Sequence, residues 1–457
     1  MTQDPLLELL ACPRCDKTPL RPARSGYRCG GCRTDYPLVG GIPWLFAEPE
    51  SAQEEWRNRL HFELQRLARE TARLESTLAA NGTRPATRQR LELLAAALKA
   101  HRGALRELLA PLDLQSRQGA YETHLALRTR LPRDQGLTTY YANVHRDWAW
   151  GEAENDASLE EVRWALEAAD GDDPGSVLVL GAGAGRLAYD VHMQLGPART
   201  VALDFNPLLV LIAAALVRGE SLTLHEFPIA PRSLADTAPR RTLTAPAPAR
   251  PGFHLLLADA LRPPAAQRAF DTVLTPWLVD IVPETFDALA ARINGLLAPG
   301  GRWVSFGSLS FEHPEPELRY SREEALAAVV EAGFAEPAVR EATIPYMCSP
   351  ASRHGRAERV LTFAARKAEE ARPPPRYKAL PDWLVTGKAP VPLAASFQAQ
   401  ALTTRIYAHV MSLIDGRRSI EDMAALLEQQ RLMTRAEAIP AVRNFLTRMY
   451  DDSRKGG

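Results

Sequence analysis

"VLVLGAGAGRLAYD", Val177 to Asp190, decides the fold. A run of apolar residues enters a turn carrying Gly181, Gly183 and Gly185, and Leu187, Ala188 and Val191 then continue at helical spacing. An unbroken apolar strand is what burial on both faces of a parallel sheet demands. Glycines between strand and helix admit a close backbone approach by a ligand. Outward from this stretch, between about Leu137 and Lys367, "RTVALDF", "FHLLLAD", "FDTVLTPWLV", "GRWVSFGSL" and "RVLTFAARK" alternate with helical patterns. That alternation predicts an α/β domain, a largely parallel Rossmann-like sheet with helices on both faces.

The chain has 457 residues, more than one average domain. Composition shifts divide it into a Gly/Pro/Cys-rich β module (1–48), a helical hairpin and linker (49–136), the α/β domain (137–368), a Pro-rich linker (369–395) and a helical domain (396–457). Lys plus Arg and Asp plus Glu number 55 each, so no global field draws the chain to nucleic acid, which is not expected as a partner. The N-terminus lacks a cationic region followed by a long apolar one, and no segment nears the ~18 apolar residues of a membrane span. The expectation is a cytoplasmic protein without a membrane partner.

The glycine turn alone leaves two cofactors open. Gly183, Gly185 and Ala188 satisfy G-x-G-x-x-A, and Asp204 ends the next strand about 20 residues on. An acid there accepts hydrogen bonds from ribose hydroxyls, which NAD and S-adenosyl-L-methionine (SAM) both carry. Two later features favour SAM: Asp259 just past a third strand in "LLADAL", where it can read an adenine edge, and a helix ending at Pro-Gly-Gly in "INGLLAPGGRWV". They are the usual sequel in class I methyltransferases, and no second dinucleotide half is visible. The expected cofactor residues are Gly181, Gly183, Gly185, Asp204, Asn206 and Asp259.

"RDWAWGEAENDA" (146–157), the glycine turn, "HEFPIAPRSLAD" (225–236), "FDTVLTPWLVDIV" and "GRWVSFGSLSF", in that order, resemble the carnosine N-methyltransferase (N2227-like) family over residues 137 to 367. The resemblance implies a SAM-dependent methyltransferase in which Arg146 helps hold the cofactor, a guanidinium fork being suited to a carboxylate. It implies that Asp280 binds substrate; a carboxylate accepting the N–H of an imidazole would fix its tautomer and enrich the attacking nitrogen. The local alternative for Asp280 is an N-cap for "PETFDALAARI". Tyr346 aligns with a tyrosine of the substrate pocket; the local alternative is a core position. Where the family has a histidine after "WVSFGSLSF", this chain has Glu312 and then His313, and a tyrosine-rich stretch is replaced by "SRHGRAER" (352–359), which includes His354. Asp280 and Tyr346 are therefore the candidate catalytic residues, with Glu312, His313 and His354 beside them for substrate. The expected acceptor is an imidazole in a histidine-containing small molecule or peptide.

Cys12, Cys15, Cys29 and Cys32 form two C-x-x-C knuckles separated by 13 residues. Four thiolates at this spacing can close a tetrahedral, structural Zn²⁺ site, the staple a module this small needs; a redox pair is the alternative. The segment resembles the Trm112-like zinc-binding family, members of which support methyltransferases. This suggests a second reading, methylation of RNA or a translation protein. A third is a scaffold that binds SAM without turnover. The C-terminal "MSLIDGRRSIEDMAALL" and "AVRNFLTRMY" are similar to the helical part of PqqD-like modules, which implies peptide binding.

Overall fold

A computed structural model describes residues 5–80, 82–112, 136–169, 171, 173–313, 315–377, 383 and 389–456. They fall into two compact units that divide after Tyr377.

The first unit begins with a four-stranded antiparallel sheet in sequence order: β1 (Leu20–Ala23), β2 (Gly26–Cys29), β3 (Asp35–Val39) and β4 (Ile42–Pro43). Two long helices follow, α1 (Pro49–Ala79) and α2 (Pro85–Leu108), each with proline in its first turn, where a missing N–H is tolerated. After α3 (Tyr141–His145) comes one π-helical turn, Arg146–Trp150, and then α4 (Glu152–Ala168).

The sheet domain then runs β5 (Ser176–Leu180), α5 (Arg186–Asp190), β6 (Arg199–Asp204), α6 (Pro207–Val217), β7 (Leu222–His225), β8 (Arg240–Leu243), β9 (Phe253–Leu257) and β10 (Phe270–Pro276). It continues with α7 (Phe286–Leu296), β11 (Leu297–Gly307), α8 (Arg322–Glu331), β12 (Ala338–Tyr346) and β13 (Arg356–Arg366). Seven of these strands form one sheet in the order β12-β13-β11-β10-β5-β6-β9. The five adjacent strands from β11 to β9 are parallel, and β13 alone runs against its neighbours, which makes β12–β13 a hairpin at one edge. The strand order reverses between β5 and β10, the switch point where doubly wound sheets open a crevice. This is a doubly wound, Rossmann-like α/β architecture.

Two parts of the unit cover what this sheet leaves bare. Trp44 pairs in parallel with Leu257 of β9, Leu45 N–H donates to the Leu257 carbonyl at 2.7 Å, and Leu10 bridges Ala265. The cysteine module thereby shields an edge strand that would otherwise offer unpaired backbone groups. Helix α6, "PLLVLIAAALV", is buried at every position. A helix apolar all round needs cover on all sides; α6 packs between the sheet and Leu60, Leu67, Leu98 and Leu105 of the α1–α2 hairpin.

The second unit contains α9 (Ala395–Ser412), α10 (Ile420–Gln429) and α11 (Arg435–Gly456) around a small core of Val410, Leu413, Met423, Leu427 and Val442. The Asp415-Gly416 turn follows α9, with Gly416 at φ 74°. Among the described residues no helix is long and apolar enough to cross a membrane.

Candidate functional site

The glycine turn leaves the carboxyl end of β5 with Gly181, Gly183 and Gly185 at φ 70°, 58° and 84°, the left-handed region that a side chain disfavours. A Cβ on Gly181 would lie 2.8 Å from Leu278 Cδ1. A Cβ on Gly183 would meet nothing within 4 Å, so its backbone faces open space. Gly183 is thus the place in the turn where a ligand can lie against the main chain.

Asp204 sits beside that opening at the end of β6. Its Oδ2 accepts the Gly183 N–H and its Oδ1 the Asn206 N–H, both at 2.9 Å, and the carboxylate keeps lone-pair capacity for a ligand hydroxyl. Burial pushes its carboxyl up to about 6, against the pull of these amides. Asn206 has a structural post: its Oδ1 accepts the Leu208 N–H to cap α6, and its Nδ2 donates to the Leu137 carbonyl. Asp259, past the end of β9, accepts the Leu261 N–H on Oδ1 at 2.8 Å, and burial raises its carboxyl as well. Gly183, Asp204 and Asp259 thus stand at the ends of three neighbouring strands. This is the layout an extended nucleoside ligand requires, and the residues present fit SAM.

Arg146 is held more closely than the sequence suggests. Its Nε donates to Asp147 and its Nη1 to Glu154, both at 2.5 Å, with 14 % of the side chain exposed. Burial works against the charge, but Asp147 and Glu154 hold the guanidinium above its usual range. Nη2 has no hydrogen bond among the described residues. Glu154 also accepts the Met347 N–H at 2.7 Å, which ties the end of β12 to α4. Trp148 donates to the Ala184 carbonyl inside the glycine turn, and Arg186 donates back to the Asp147 carbonyl. The Arg-Asp-Trp segment is therefore latched onto the turn by its tryptophan and its backbone.

Further along the rim, β10 ends at Pro276 and Asp280 lies four residues further on, in a turn instead of at the strand's end. It does not cap α7, whose N-cap is Thr285. Its Oδ2 instead accepts the Ser308 hydroxyl at 2.8 Å and the Ser310 N–H at 2.7 Å, pinning the chain after β11. Oδ1 accepts no hydrogen bond among the described residues. The Tyr346 ring lies 5.0 Å from that of Trp277, and the Arg356 guanidinium stands over it, 4.5 Å from its centroid. Burial raises the Tyr346 phenol. Trp277, Leu309 and Met347 have φ of 50°, 49° and 53° just after β10, β11 and β12. Bulky residues in the left-handed region store backbone strain, and these three all follow strands of the one sheet.

Glu312 and His354 are exposed, and His313 accepts the Glu315 N–H. Among the described residues no hydrogen bond joins these three to Asp280 or Tyr346. The sequence reading missed Trp277, Glu154 and the wall formed by the 225–236 segment. Arg232 N–H donates to the Ala351 carbonyl and Arg353 N–H to the Ala230 carbonyl. Glu226 accepts from Ser349 and pairs with Arg241 at 2.7 Å. This seam joins the insertion before β8 to the loop between β12 and β13.

The four N-terminal cysteines bring their Sγ atoms within 4.8 Å of one another, with Cys12–Cys32 at 3.6 Å and Cys15–Cys29 at 3.5 Å. Tetrahedral Zn–S bonds of about 2.3 Å put sulfurs about 3.8 Å apart, so the set fits zinc. Gly31 N–H donates to Cys29 Sγ at 3.3 Å, and the buried Tyr36 hydroxyl lies 2.9 Å from Cys12 Sγ; such donors orient metal-bound thiolates.

No protein-family model and no curated protein matches the chain. Among solved structures it is similar to Haemonchus contortus phosphoethanolamine N-methyltransferase 2 with S-adenosylhomocysteine (14 % identity, TM-score 0.34), over 52 % of this chain and 58 % of that one. It is also similar to a chain of the Haloferax volcanii complex between the Trm112 methyltransferase activator and a methyltransferase (15 %, TM-score 0.33; 52 % of this chain, 100 % of that one). A third is the N-methyltransferase NodS of Bradyrhizobium japonicum (13 %, TM-score 0.31; 47 % and 97 %).

Proposed function

We propose that the chain is a SAM-dependent N-methyltransferase whose acceptor is an imidazole nitrogen of a histidine-containing small molecule or peptide. The observation that carries this reading is the contact between the two halves of the rim: Gly181 of the donor turn lies against Leu278, two residues before Asp280. A ligand seated along Gly183 and an acceptor seated at Asp280 would then approach each other across one layer of side chains.

When bound, SAM supplies an electrophilic methyl group on a sulfonium. The protein's part in such a displacement is alignment and exclusion of water. In this reading Arg146 Nη2 offers the remaining donor for the methionine carboxylate, and Asp204 receives the ribose hydroxyls on its spare lone pairs. Asp280 accepts the acceptor's N–H on Oδ1, which presents the other ring nitrogen's lone pair for attack. The same carboxylate faces the positive charge the ring gains on methylation. Trp277 and Tyr346 form the apolar wall. The zinc set has four thiolates and no open position, so its role is structural.

The test is methyl transfer from labelled SAM to histidine, histidine dipeptides, histidine-containing peptides and tRNA. Transfer to a histidine compound that is lost in Asp280→Ala, with SAM affinity kept, supports the reading. Transfer only to tRNA would replace the acceptor class, and tight SAM binding with no acceptor at all would leave a scaffold.

A further inference from the structure

The residues after β13 are strapped along α7 up to the rim of the candidate cofactor site. Ala371 N–H donates to Asn294 Oδ1 at 3.1 Å, Arg292 donates to the Pro375 carbonyl at 3.3 Å, and Arg376 pairs with Asp16 at 2.6 Å. The strap reaches Tyr377, whose carbonyl accepts from Arg262 at 3.3 Å. Arg262 N–H in turn donates to the Asp259 carbonyl at 3.0 Å, and its guanidinium also holds the Pro13 and Arg14 carbonyls of the first cysteine knuckle. One side chain thus fastens three segments together beside Asp259.

The Tyr377 ring is half-buried against the core of the sheet domain, and its phenol is raised by burial and then by the charges of Asp259 and Glu284. Its hydroxyl makes no hydrogen bond among the described residues, and neither does Asp259 Oδ2. Arg262 thus holds the segment that carries this aromatic ring beside Asp259, at the end of β9, the outermost of the three strands that carry Gly183, Asp204 and Asp259.

We propose that Tyr377 is a cofactor-binding residue, the wall against which the adenine of the cofactor lies while Asp259 reads its edge. The inference rests on the reading of the ligand as SAM. Stacking a base on an aromatic side chain is sequence-tolerant and needs only a presented π-face. The strap delivers that face from outside the sheet domain's own loops, which is why no motif of the domain contains it.

Calorimetry on the full chain with S-adenosylhomocysteine and with adenosine tests the proposal. Tyr377→Ala is expected to weaken both ligands about tenfold, the size of one lost base–aromatic stack, and Tyr377→Phe to keep both affinities. Tyr377→Leu, which refills the apolar contact without a π-face, is expected to behave like Tyr377→Ala, and ligand-free melting curves establish that each variant is folded. Unchanged or tighter binding in Tyr377→Ala, or full affinity in Tyr377→Leu, would overturn it while the SAM reading stood. A wild-type chain that binds neither ligand would overturn both.

Discussion

Gly181 and Leu278 touch where a side chain would not fit: a Cβ added to Gly181 would come to 2.8 Å from Leu278 Cδ1. Gly181 also has φ 70°, so alanine there meets both a clash and a disfavoured backbone. Gly181→Ala is expected to destabilise by about 2 kcal/mol and to displace the loop that carries Asp280. SAM affinity and acceptor KM should therefore worsen together; an effect on SAM alone would show that the two loops are independent.

Glu154 is 4 % exposed and serves Arg146 and the Met347 amide at once. Glu154→Ala leaves a buried guanidinium short of one of its two carboxylates, a change that costs about 3–5 kcal/mol when a buried pair is broken. Glu154→Gln keeps an acceptor for the amide and should lose less. Denaturant midpoints of the two variants, read beside proteolysis at 347–355, check that order.

The cysteine module has four thiols placed to hold a metal, and it also covers β9. One zinc per chain is expected by metal analysis, and cobalt substitution should give a tetrahedral thiolate spectrum. Cys29→Ser or chelation is expected to lower stability by on the order of 4 kcal/mol, because the shielding of the edge strand is lost with the metal. A chelator that removes zinc without moving the melting temperature would show that the module folds without it.

His101 and His145 carry the pH dependence that is easiest to isolate. Burial, first of all, pushes each down to about 4: His101 lies among Glu63, Arg66, His145 and His225, and His145 among Arg241 and His225. A folded-state value below the unfolded 6.5 means that the unfolded chain binds more protons between pH 4 and 6.5, so stability falls as pH drops through that window. Asp190 and Asp204, raised to about 6 by burial, slope the other way between pH 4 and 6 and mask the trend in the wild type. His101→Phe keeps the ring contacts with Tyr141 and Phe227, at 4.7 and 5.2 Å, and removes one of the two histidines. Relative to wild type it should gain about 2 kcal/mol between pH 7 and pH 5, measured by denaturant unfolding at both. An equal pH response would mean that His101 takes up its proton in the native state as readily as in the unfolded chain.

The buried parallel strands were legible because burial on both faces leaves a continuous apolar run, as in "SVLVL". The edge strand β12, "AVREATIPY", was not: its exposed positions interleave charges, and an edge needs no apolar face on both sides. Asp204 ends the strand after the glycine turn and Asp259 lies just past the next strand of the sheet, as the apolar runs before them indicate. The surroundings of Arg146 were hidden because its partner Glu154 lies across a π-helical turn, which shifts the side chains out of ordinary helical register. The seam between Arg232 and Ala351 spans more than a hundred positions, and no local pattern announces a pairing of that range. Trp277 was missed because nothing in a tryptophan's preferences foretells a left-handed backbone.

Helix α6 sets a limit on dissection. Shortening the chain to its sheet domain would bare the side of α6 now covered by the α1–α2 hairpin, and a wholly apolar helix facing water is an invitation to aggregate. Residues 49–112 therefore belong to the smallest workable form of this protein, whatever else they do, and an engineer trimming it should begin from the other end.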